Sequence, residues 1–497
     1  MWHLYQRQRT VTTLDAVCRL TLSIVRCPNP SCPRYHLPYR PEEEGAWTLP
    51  HHEFGFDVIA RIRRLRYRDH RTVPEIHQAL CEAGIAIAQR TVSDLLARYE
   101  ELLAVHLTDQ TRLKEHLTDQ GHVILAIDGL QPYKGQDVLW VLRDCLSGDV
   151  LLARSLESAR ESDLADLLRE VTTTLPVPIH AVVSDGQRTI GMAVRTVLPT
   201  VPHQLCQFHY LKEAAKPIVE ADHHAKTVLK KFVRGIRPLE QGLAARDDPE
   251  AEVSRGSCLA VRSALSDTGH PPLHLPGLAL HERLSAIAAS LERVGRKKGL
   301  PDDLAALQRV LGAGLFASAQ HWERLQTAQS WVVRAAQILE NDTTADAAPV
   351  EAEYRKLLND VVAHQSTPQL EPFATHFYTV SRSYWRGLFH CYDMPEVPRT
   401  NNALEQYFGS ARHHERRATG RKRPTSAMVV RGSVRVVAAV ATQVAAFDAT
   451  ELRLHDEARW RELRKKMATR HEARRAQRRF RRDPDAYLAK LEAQLLL

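Results

Sequence analysis

Hydrophobic residues along the chain follow two periods, and the change between them divides the chain into regions. Residues 53–105 carry apolar side chains at helical spacing, whereas residues 106–214 contain short apolar runs bounded by turn residues. The first pattern is typical of amphipathic helices and the second of buried strands. From residue 215 to residue 390 the helical period returns. The pattern therefore predicts a helical start, a sheet and a long helical stretch.

The strand-like region predicts a mixed sheet with a definite chain order. Its first three strands are VILAI, VLWVLRD and DVLLARSL, and the helix ESDLADLLREVTTTL and the strand IHAVVS follow them. A helix from about Thr189 to Val197 and a strand in VPHQLCQFHY complete the series. This order is that of an α/β ribonuclease-H-like core, in which the first and fourth strands are parallel neighbours.

Two of these predicted strands end in an Asp-Gly pair, with Asp128 after the first and Asp185 after the fourth. Parallel neighbouring strands lie about 4.8 Å apart, so the two carboxylates are expected to meet at one edge of the sheet. Two catalytic magnesium ions lie roughly 3.5–4 Å apart, which adjacent strand ends can accommodate. The alternative is that each Asp-Gly is only a turn, because both residue types favour turns.

A third carboxylate stands far along the chain, in RTNNALEQYFGSARHHERR. Glu405 lies in a predicted helix whose N-cap is Asn401 or Asn402, so it can complete a set of three acidic ligands. The basic residues that follow can hold phosphates; they are Arg412, Arg416, Arg417, Arg421, Lys422 and Arg423. Together, the three acids and the basic cluster favour one metal-dependent site over unrelated turns.

The separation of Asp185 from Glu405 requires an insertion in the core. We predict an all-helical insertion at residues 215–390, between core segments 106–214 and 391–445. Four of its basic residues offer phosphate contacts or form a solvated charge run; they are Arg293, Arg296, Lys297 and Lys298.

The net charge is moderately positive and unevenly distributed. The 497 residues carry 68 Lys and Arg against 59 Asp and Glu, which gives +9. Residues 446–497 are predicted to form a basic helical arm, since 13 basic residues stand against 4 acidic ones between Arg453 and Arg482. Such an arm contacts nucleic acid or remains solvated.

The cysteine pattern and the absence of long apolar stretches bear on location. Eight cysteines are scattered through the chain, which does not suggest a secreted disulfide framework. The N-terminal residues lack a basic segment followed by an uninterrupted apolar core, so we expect no signal peptide, and no apolar stretch reaches the length of about 18 residues that a membrane span needs. We therefore expect a protein of the reducing cell interior, without a membrane partner.

Residues 1–52 contain a candidate site for one structural zinc ion. The segment RCPNPSCPRYH places Cys27, Cys32 and His36 in a C-x4-C-x3-H arrangement, and thiolate and imidazole ligands suit tetrahedral zinc. The candidate fourth ligands are Cys18 first, and then His3, His51 and His52. The alternative is a proline-rich turn with two free cysteines.

Residues 53–105 predict three helices, the last two separated by a turn that contains glycine. This arrangement matches a helix-turn-helix, whose second helix enters the major groove of DNA. Arg90, Thr91 and Ser93 begin that second helix and are expected near bases or phosphates. A helical hairpin without DNA is the alternative.

Taken in order, these features resemble a DDE transposase of a bacterial insertion sequence, in the Mutator-like layout with a helical insertion ahead of the glutamate. The matching stretches are IDG with Asp128, SDG with Asp185, CQFH with Cys206 and His209, and RTNNALEQ with Glu405. With the zinc-like segment and the helix-turn-helix, the resemblance covers most of the chain.

The resemblance implies that the three acids bind two divalent ions, magnesium or manganese, and cut and join double-stranded DNA at transposon ends and target. It also implies a cytoplasmic, nucleoid-associated protein that forms a homo-oligomer on DNA. The Cys206–His209 pair lies near the active site in such proteins, without an assigned chemical role. Two rival functions are a DNA-binding regulator with a catalytically dead core and a ribonuclease-H-like nuclease that cuts without joining.

Overall fold

Residues 1–41, 43–131, 137–266, 268–341, 346–401, 409, 413, 416–420, 426–444 and 447–496 are described by a computed structural model. The chain forms two units. The first consists of Met1–Val182, Arg188–Val201 and Asn401–Leu497, and the second of Val183–Gln187 and Pro202–Thr400. The second unit is thus wider than the insertion predicted at residues 215–390, and it includes the segment that holds Asp185.

The first unit begins with an antiparallel sheet of β1 (Trp2–Thr12), β2 (Val17–Arg26) and β3 (Pro38–Tyr39). The first two strands form a long hairpin in which Trp2 is opposite Arg26 and Thr12 is opposite Val17. Most side chains of β1 are exposed. β1 therefore lacks the alternation that marks a half-buried strand, whereas β2 has it from Val17 to Ile24. This sheet was not predicted from the sequence.

The predicted three-helix region is present, flanked by two further helices. The helices are α1 (Glu44–Trp47), α2 (Phe56–Arg63), α3 (Val73–Glu82), α4 (Gln89–Leu107) and α5 (Gln110–Gln120). A single π-helical turn, Arg64–Arg68, extends α2. Thr72 caps α3, because its side chain accepts a hydrogen bond from the amide of Glu75 while the Glu75 carboxylate accepts one from the amide of Thr72.

The five-stranded sheet has the strand order β6-β5-β4-β7-β8. Its elements are β4 (Val123–Leu130), β5 (Val138–Asp144), β6 (Val150–Leu156), α6 (Glu161–Thr174), β7 (Ile179–Ser184), α7 (Arg188–Val197) and β8 (His203–Leu205). β5 is antiparallel to both β4 and β6. The amide of Val123 donates to the carbonyl of Pro178 at 3.0 Å. β4 and β7 therefore begin at the same end of the sheet and run parallel, which confirms the predicted order of strands.

Helices cover both faces of β4, and this explains its nearly continuous apolar sequence. Leu125 and Ile127 pack with residues of α6 and α7, whereas Ala126 and Leu130 pack with Val436 and its neighbour Val437. The latter two residues belong to α17 (Ser426–Val444). Because side chains alternate along a strand, Asp128 lies on the face of β4 that α17 covers.

The second unit is helical throughout residues 207–393, apart from its connections. Its helices are α8 (Gln207–Ala214), α9 (Lys216–Val233), α10 (Arg237–Leu243), α11 (Pro249–Ser266), α12 (Pro276–Lys298), α13 (Asp302–Leu339), α14 (Ala347–Ala363), α15 (Glu371–Tyr384) and α16 (His390–Asp393). The buried carboxylate of Asp222, in α9, accepts hydrogen bonds from the amides of Gly277 and Leu278 at 2.7 and 2.8 Å. This contact fixes the start of α12 and supplies donors of its first turn with an acceptor.

Two helices follow α17 and form the predicted arm, α18 (Glu457–Arg482) and α19 (Pro484–Leu495). Trp460 is buried in the core that α2, α3 and α4 share, and Met467 is buried against α4 and α17. The first half of the arm is therefore part of the first unit. Among the helices that the structure describes, none is both long enough and apolar enough to cross a membrane.

Candidate active site and nucleic-acid interface

Asp128 lies within β4, which continues for two more residues, so the prediction that it follows the strand is wrong. It is paired with Val141, its side chain is buried, and its Oδ1 accepts a hydrogen bond from the amide of Gly129 at 2.7 Å. A Cβ on Gly129 would lie 2.9 Å from Cγ1 of Val138 and 3.1 Å from the Trp140 ring. This glycine is needed for space inside the sheet and not for a turn.

Asp185 directly follows β7 and begins a tight turn. The amide of Gln187 donates to its Oδ1 at 2.9 Å, and Gly186 has a φ of +86°, in the left-handed region that favours glycine. Before the turn, the Ser184 hydroxyl lies 2.8 Å from Nε2 of His203. Among the contacts that the structure describes, Oδ2 of Asp185 receives no hydrogen bond, so it is available to a ligand.

Tyr384, the last residue of α15, lies against the same turn. Its hydroxyl donates to the backbone carbonyl of Asp185 at 3.2 Å, and its ring lies 2.6 Å from where a Cβ of Gly186 would be. Burial, and then the charges of Asp185, Glu213 and Cys206, raise the pKa of Tyr384 to about 12. The hydroxyl therefore stays protonated near neutral pH and can donate this hydrogen bond.

The C-x2-H pair lies next to the Asp185 turn. Cys206 is fully buried at the start of α8, and its amide donates to the carbonyl of Ser184 at 2.8 Å. His209 is half-buried one helical turn further along. The structure thus brings Cys206 beside the residue that precedes Asp185.

Several predicted site residues lie outside the described residues; they are Glu405, Arg412, Arg421, Lys422 and Arg423. Arg416 and Arg417 are described, and both are exposed in a helical segment. That segment is tied to the π-helical turn that extends α2, because Nη1 of Arg66 donates to the carbonyl of Ala418 at 3.0 Å.

The predicted DNA-contacting residues begin α4. Arg90 and Ser93 are exposed, whereas Thr91 is half-buried. The preceding turn contains Gly84 with a φ of +82°, so the glycine in the predicted turn is required by the backbone. Two of the three side chains are therefore accessible to solvent.

The C-terminal half of α4 carries two buried carboxylates, Glu100 and Glu101. Both accept hydrogen bonds from Arg431 of α17. Nε of Arg431 donates to Glu100 and Nη1 to Glu101, each at 3.0 Å, and the Tyr67 hydroxyl donates to Glu100 at 2.9 Å. Burial alone would raise the pKa of Glu100, but the charges of Arg435 and Arg431 outweigh it and hold that pKa below its ordinary value. This ionic network joins α4 to α17.

The C-terminal arm combines a structural face and an exposed basic face. Nη2 of Arg459 donates to the carbonyl of Thr108 at 2.6 Å, and Arg470 pairs with Asp137 at 3.0 Å. Further along α18, exposed basic side chains dominate; they include Arg475, Arg478, Arg479, Arg481 and Arg482. The arm is thus anchored at its start and presents cations beyond it.

Cys27, Cys32 and His36 lie in and around the loop that follows β2. The amide of His36 donates to the carbonyl of Cys27 at 3.2 Å, and the amide of Arg34 donates to Sγ of Cys32 at 3.4 Å. Among the residues that the structure describes, no group of three or more His, Cys, Asp or Glu is placed to hold a metal ion.

The predicted fourth zinc ligand, Cys18, lies far from this loop. It precedes Cys27 by nine positions of extended strand, or about 30 Å at 3.3 Å per residue. A tetrahedral ion with Zn–S bonds of about 2.3 Å cannot reach both. His3 lies closer along the sheet, because it is opposite Val25, two residues before Cys27.

Sequence reasoning missed Tyr384 and Arg431. No local signal marks Tyr384, which ends an ordinary amphipathic helix and contacts Asp185 across 199 positions of chain. Arg431 carries a weak signal, since it interrupts the apolar run of SAMVVRGSVRVVAAV. A charge in such a run needs a buried partner, but the run does not say which one.

Comparison with known proteins leaves the interpretation to these residues. No family model matches the chain, and a search of curated proteins finds no match.

Proposed function

We propose that the chain is a DDE-type transposase, which binds the ends of a DNA element and cuts and joins DNA with two divalent metal ions. One observation carries the proposal. β4 and β7 are neighbours in the sheet, and Asp128 belongs to the first while Asp185 directly follows the second. Two acids at these positions of a mixed sheet are what the resemblance to transposases requires.

Two further features support a ribonuclease-H-like core. Counted from β4, the strand order is 3-2-1-4-5, with the first three strands antiparallel. In addition, α17 follows Glu405 in the chain, and it covers the face of β4 on which Asp128 lies. The chain after Glu405 therefore reaches the face of the sheet on which Asp128 lies, where a third acid is needed.

The donor set suits hard divalent cations, because magnesium and manganese prefer carboxylate oxygens. Of the two oxygens of Asp185, the turn occupies Oδ1 and leaves Oδ2 available. We assign Asp128, Asp185 and Glu405 as the residues that hold two magnesium or manganese ions. When bound, such ions activate the attacking oxygen and stabilise the leaving oxygen in phosphoryl transfer. The protein needs no nucleophile of its own.

The proposed partner is double-stranded DNA, both element ends and target. The exposed Arg90 and Ser93 at the start of α4 are suited to a major groove. The exposed Arg416, Arg417 and the basic part of α18 are suited to phosphates, which supply much of the affinity of such proteins. Action on the bacterial nucleoid in the cytoplasm, as a homo-oligomer on DNA, belongs to the same proposal.

A joining assay tests the proposal. The full chain is mixed with magnesium, a target plasmid and labelled duplexes that carry the inverted repeats flanking its gene. Joined products are expected. Cleavage without joining would support a nuclease, and binding without cleavage would support a DNA-binding regulator.

Three substitutions assign the chemistry to residues. Asp128→Asn, Asp185→Asn and Glu405→Gln should each reduce joining by about 10²-fold or more and leave end binding unchanged. Asp119→Asn, the same chemical change on an exposed side chain of α5, is the matched control and should join normally. Normal joining by any one of the three would remove that residue from the active site.

A structural zinc ion stays a prediction for Cys27, Cys32 and His36, with His3 in place of Cys18 as the fourth ligand. Zinc content of the purified chain, compared with that of Cys27→Ser and Cys18→Ser, tests it. Loss of zinc from Cys27→Ser alone is expected, and equal zinc content in all three proteins would contradict it.

A further inference from the structure

The turn that carries Asp185 is clamped by a helix of the insertion. We propose that Tyr384 is a positioning residue for Asp185, which holds the turn so that the available carboxylate oxygen is presented to a metal ion. This inference rests on the proposed function, since it takes Asp185 to be a metal ligand.

Tyr384 restrains the turn in two independent ways. Its hydroxyl holds the backbone carbonyl of Asp185 at 3.2 Å, which limits rotation of the peptide group between Asp185 and Gly186. Its ring also fills the space beside Gly186, where an added Cβ would lie 2.6 Å from both Cε1 and the hydroxyl oxygen. The peptide group that sets the direction of the Asp185 side chain is therefore held by a polar contact and by a steric one.

Tyr384 is itself fixed by the interior of the second unit. Its ring packs against that of Tyr210, with centroids 5.5 Å apart. The hydroxyls of Tyr210 and Ser381 lie 2.6 Å apart, and Ser381 Oγ donates to the carbonyl of Phe377 at 2.7 Å. Ser381 is fully buried one turn before Tyr384 in α15. A fixed phenol can restrain a turn, whereas a freely rotating one cannot.

The arrangement gives the insertion a role at the proposed site. Only one oxygen of the Asp185 carboxylate is held by the turn itself, through the amide of Gln187. The orientation of the other oxygen depends on the backbone, and α15 holds that backbone. Partners that orient a metal ligand in this way typically contribute 10–100-fold in metal affinity or activity.

The test compares Tyr384→Phe with Tyr378→Phe in the full chain. Tyr384→Phe keeps the ring and removes the hydroxyl. Tyr378 lies on the same helix, where its ring faces Arg382, so Tyr378→Phe is the matched control. Binding of Mn²⁺ alone is measured from the electron paramagnetic resonance signal of the free ion, without DNA. The magnesium dependence of joining is measured separately.

Asp185→Asn identifies the Mn²⁺ binding that depends on Asp185, because it removes that binding. Tyr384→Phe should weaken the same binding by about tenfold and raise the magnesium concentration for half-maximal joining by a similar factor. DNA-end binding and the melting temperature should match those of Tyr378→Phe. Unchanged Mn²⁺ binding would overturn the inference, as would a loss of melting temperature without a change in metal dependence.

Gly186→Ala provides a second variant. It places a methyl group where the Tyr384 ring lies, and the Tyr384 hydroxyl is retained. It should also weaken Mn²⁺ binding, and wild-type binding by this variant would count against the inference. Asp185→Asn distinguishes failure of the proposed function from failure of the inference about Tyr384. If Asp185→Asn binds Mn²⁺ and joins DNA normally, the proposed function fails; if only Tyr384→Phe behaves normally, this inference alone fails.

Discussion

Asp128 and Asp185 share a local sequence, an apolar run followed by Asp-Gly, but the two pairs are built differently. Asp128 and Gly129 continue inside β4, where the neighbouring Val138 leaves no room for a Cβ. Asp185 leaves β7, and Gly186 turns the chain with a positive φ. The comparison teaches that Asp-Gly marks a close approach or a turn, and that the local sequence does not say which.

The two units also contain buried polar networks of different kinds. In the unit that contains Asp128, one network is ionic, with Glu100 and Arg431 at its centre. In the unit that contains Asp185, one network consists of hydroxyls, among them those of Tyr210 and Ser381. A buried ion pair is costly to break because one charge is left behind, whereas a lost hydroxyl contact costs less.

The largest expected effect is on the ionic network. Arg431→Met leaves Glu100 and Glu101 buried without their shared partner, and we expect it to destabilise the first unit by about 3–5 kcal/mol. Hydrogen exchange of α4, followed peptide by peptide in the full chain, measures the loss.

Arg461→Met is the control for this substitution, because Arg461 is exposed and pairs with Glu457 of its own helix. It should change stability by no more than about 0.5 kcal/mol. Similar losses in the two variants would mean that the buried network does not stabilise the first unit in the way described.

A smaller effect separates the two glycines. Gly129→Ala should cost about 1–3 kcal/mol, because its Cβ meets Val138 and the buried Trp140 ring. In a double-mutant cycle, Val138→Ala should recover part of that cost. Truncation of Tyr384 should recover a smaller share of the stability that Gly186→Ala costs, since the strain of a positive φ at residue 186 remains. Strict additivity of Gly129→Ala and Val138→Ala would contradict the steric account.

The smallest effect is on acid stability. The pKa of Glu100 is lower in the folded chain than its ordinary value, so the unfolded chain binds the proton first as the pH falls. The stabilisation is complete above about pH 4.3, the ordinary value, and is lost as the pH decreases toward the folded pKa. Glu100→Gln should therefore flatten the acid side of the stability profile, measured by urea unfolding.

Tyr210→Phe in the other unit should leave that acid slope unchanged. Burial raises the pKa of Tyr210 to about 12, so its hydroxyl does not titrate in acid. An acid slope altered equally by both variants would remove the distinction between ionic and hydroxyl networks.

The sequence predicted the sheet and the helices where local pattern and burial agree. The strand at β4 was predictable because both of its faces are covered, and the helix α3 because Thr72 and Glu75 form a capping box. The β1 and β2 hairpin was not predicted. Its first strand is mostly exposed and follows no clear period, whereas its second alternates between exposed and more buried side chains, a signal that sequence reasoning missed. Local pattern reports burial, so an exposed strand such as β1 escapes it.

Of the candidate site, the sequence indicated the acids and not the residues that contact them. Asp185 was predicted at the end of a strand and lies there, whereas Asp128 lies inside one. Tyr384 could not be predicted, because its contact with Asp185 depends on how α15 packs and on no feature of its own segment. Cys18 failed as a zinc ligand for a similar reason, since only the strand geometry separates it from Cys27.

The central claim is that Asp128 and Asp185 hold metal ions at one site, and cleavage of the backbone by bound iron tests it most directly. With Fe²⁺ in place of Mg²⁺, added hydrogen peroxide is reduced to hydroxyl radicals as the iron is oxidised, ascorbate regenerates Fe²⁺, and the radicals cut the chain close to the ion. The account predicts cuts near both residues 128 and 185, suppressed together by Mg²⁺ and by either Asp128→Asn or Asp185→Asn. Cuts near one aspartate that persist when the other is replaced would contradict it.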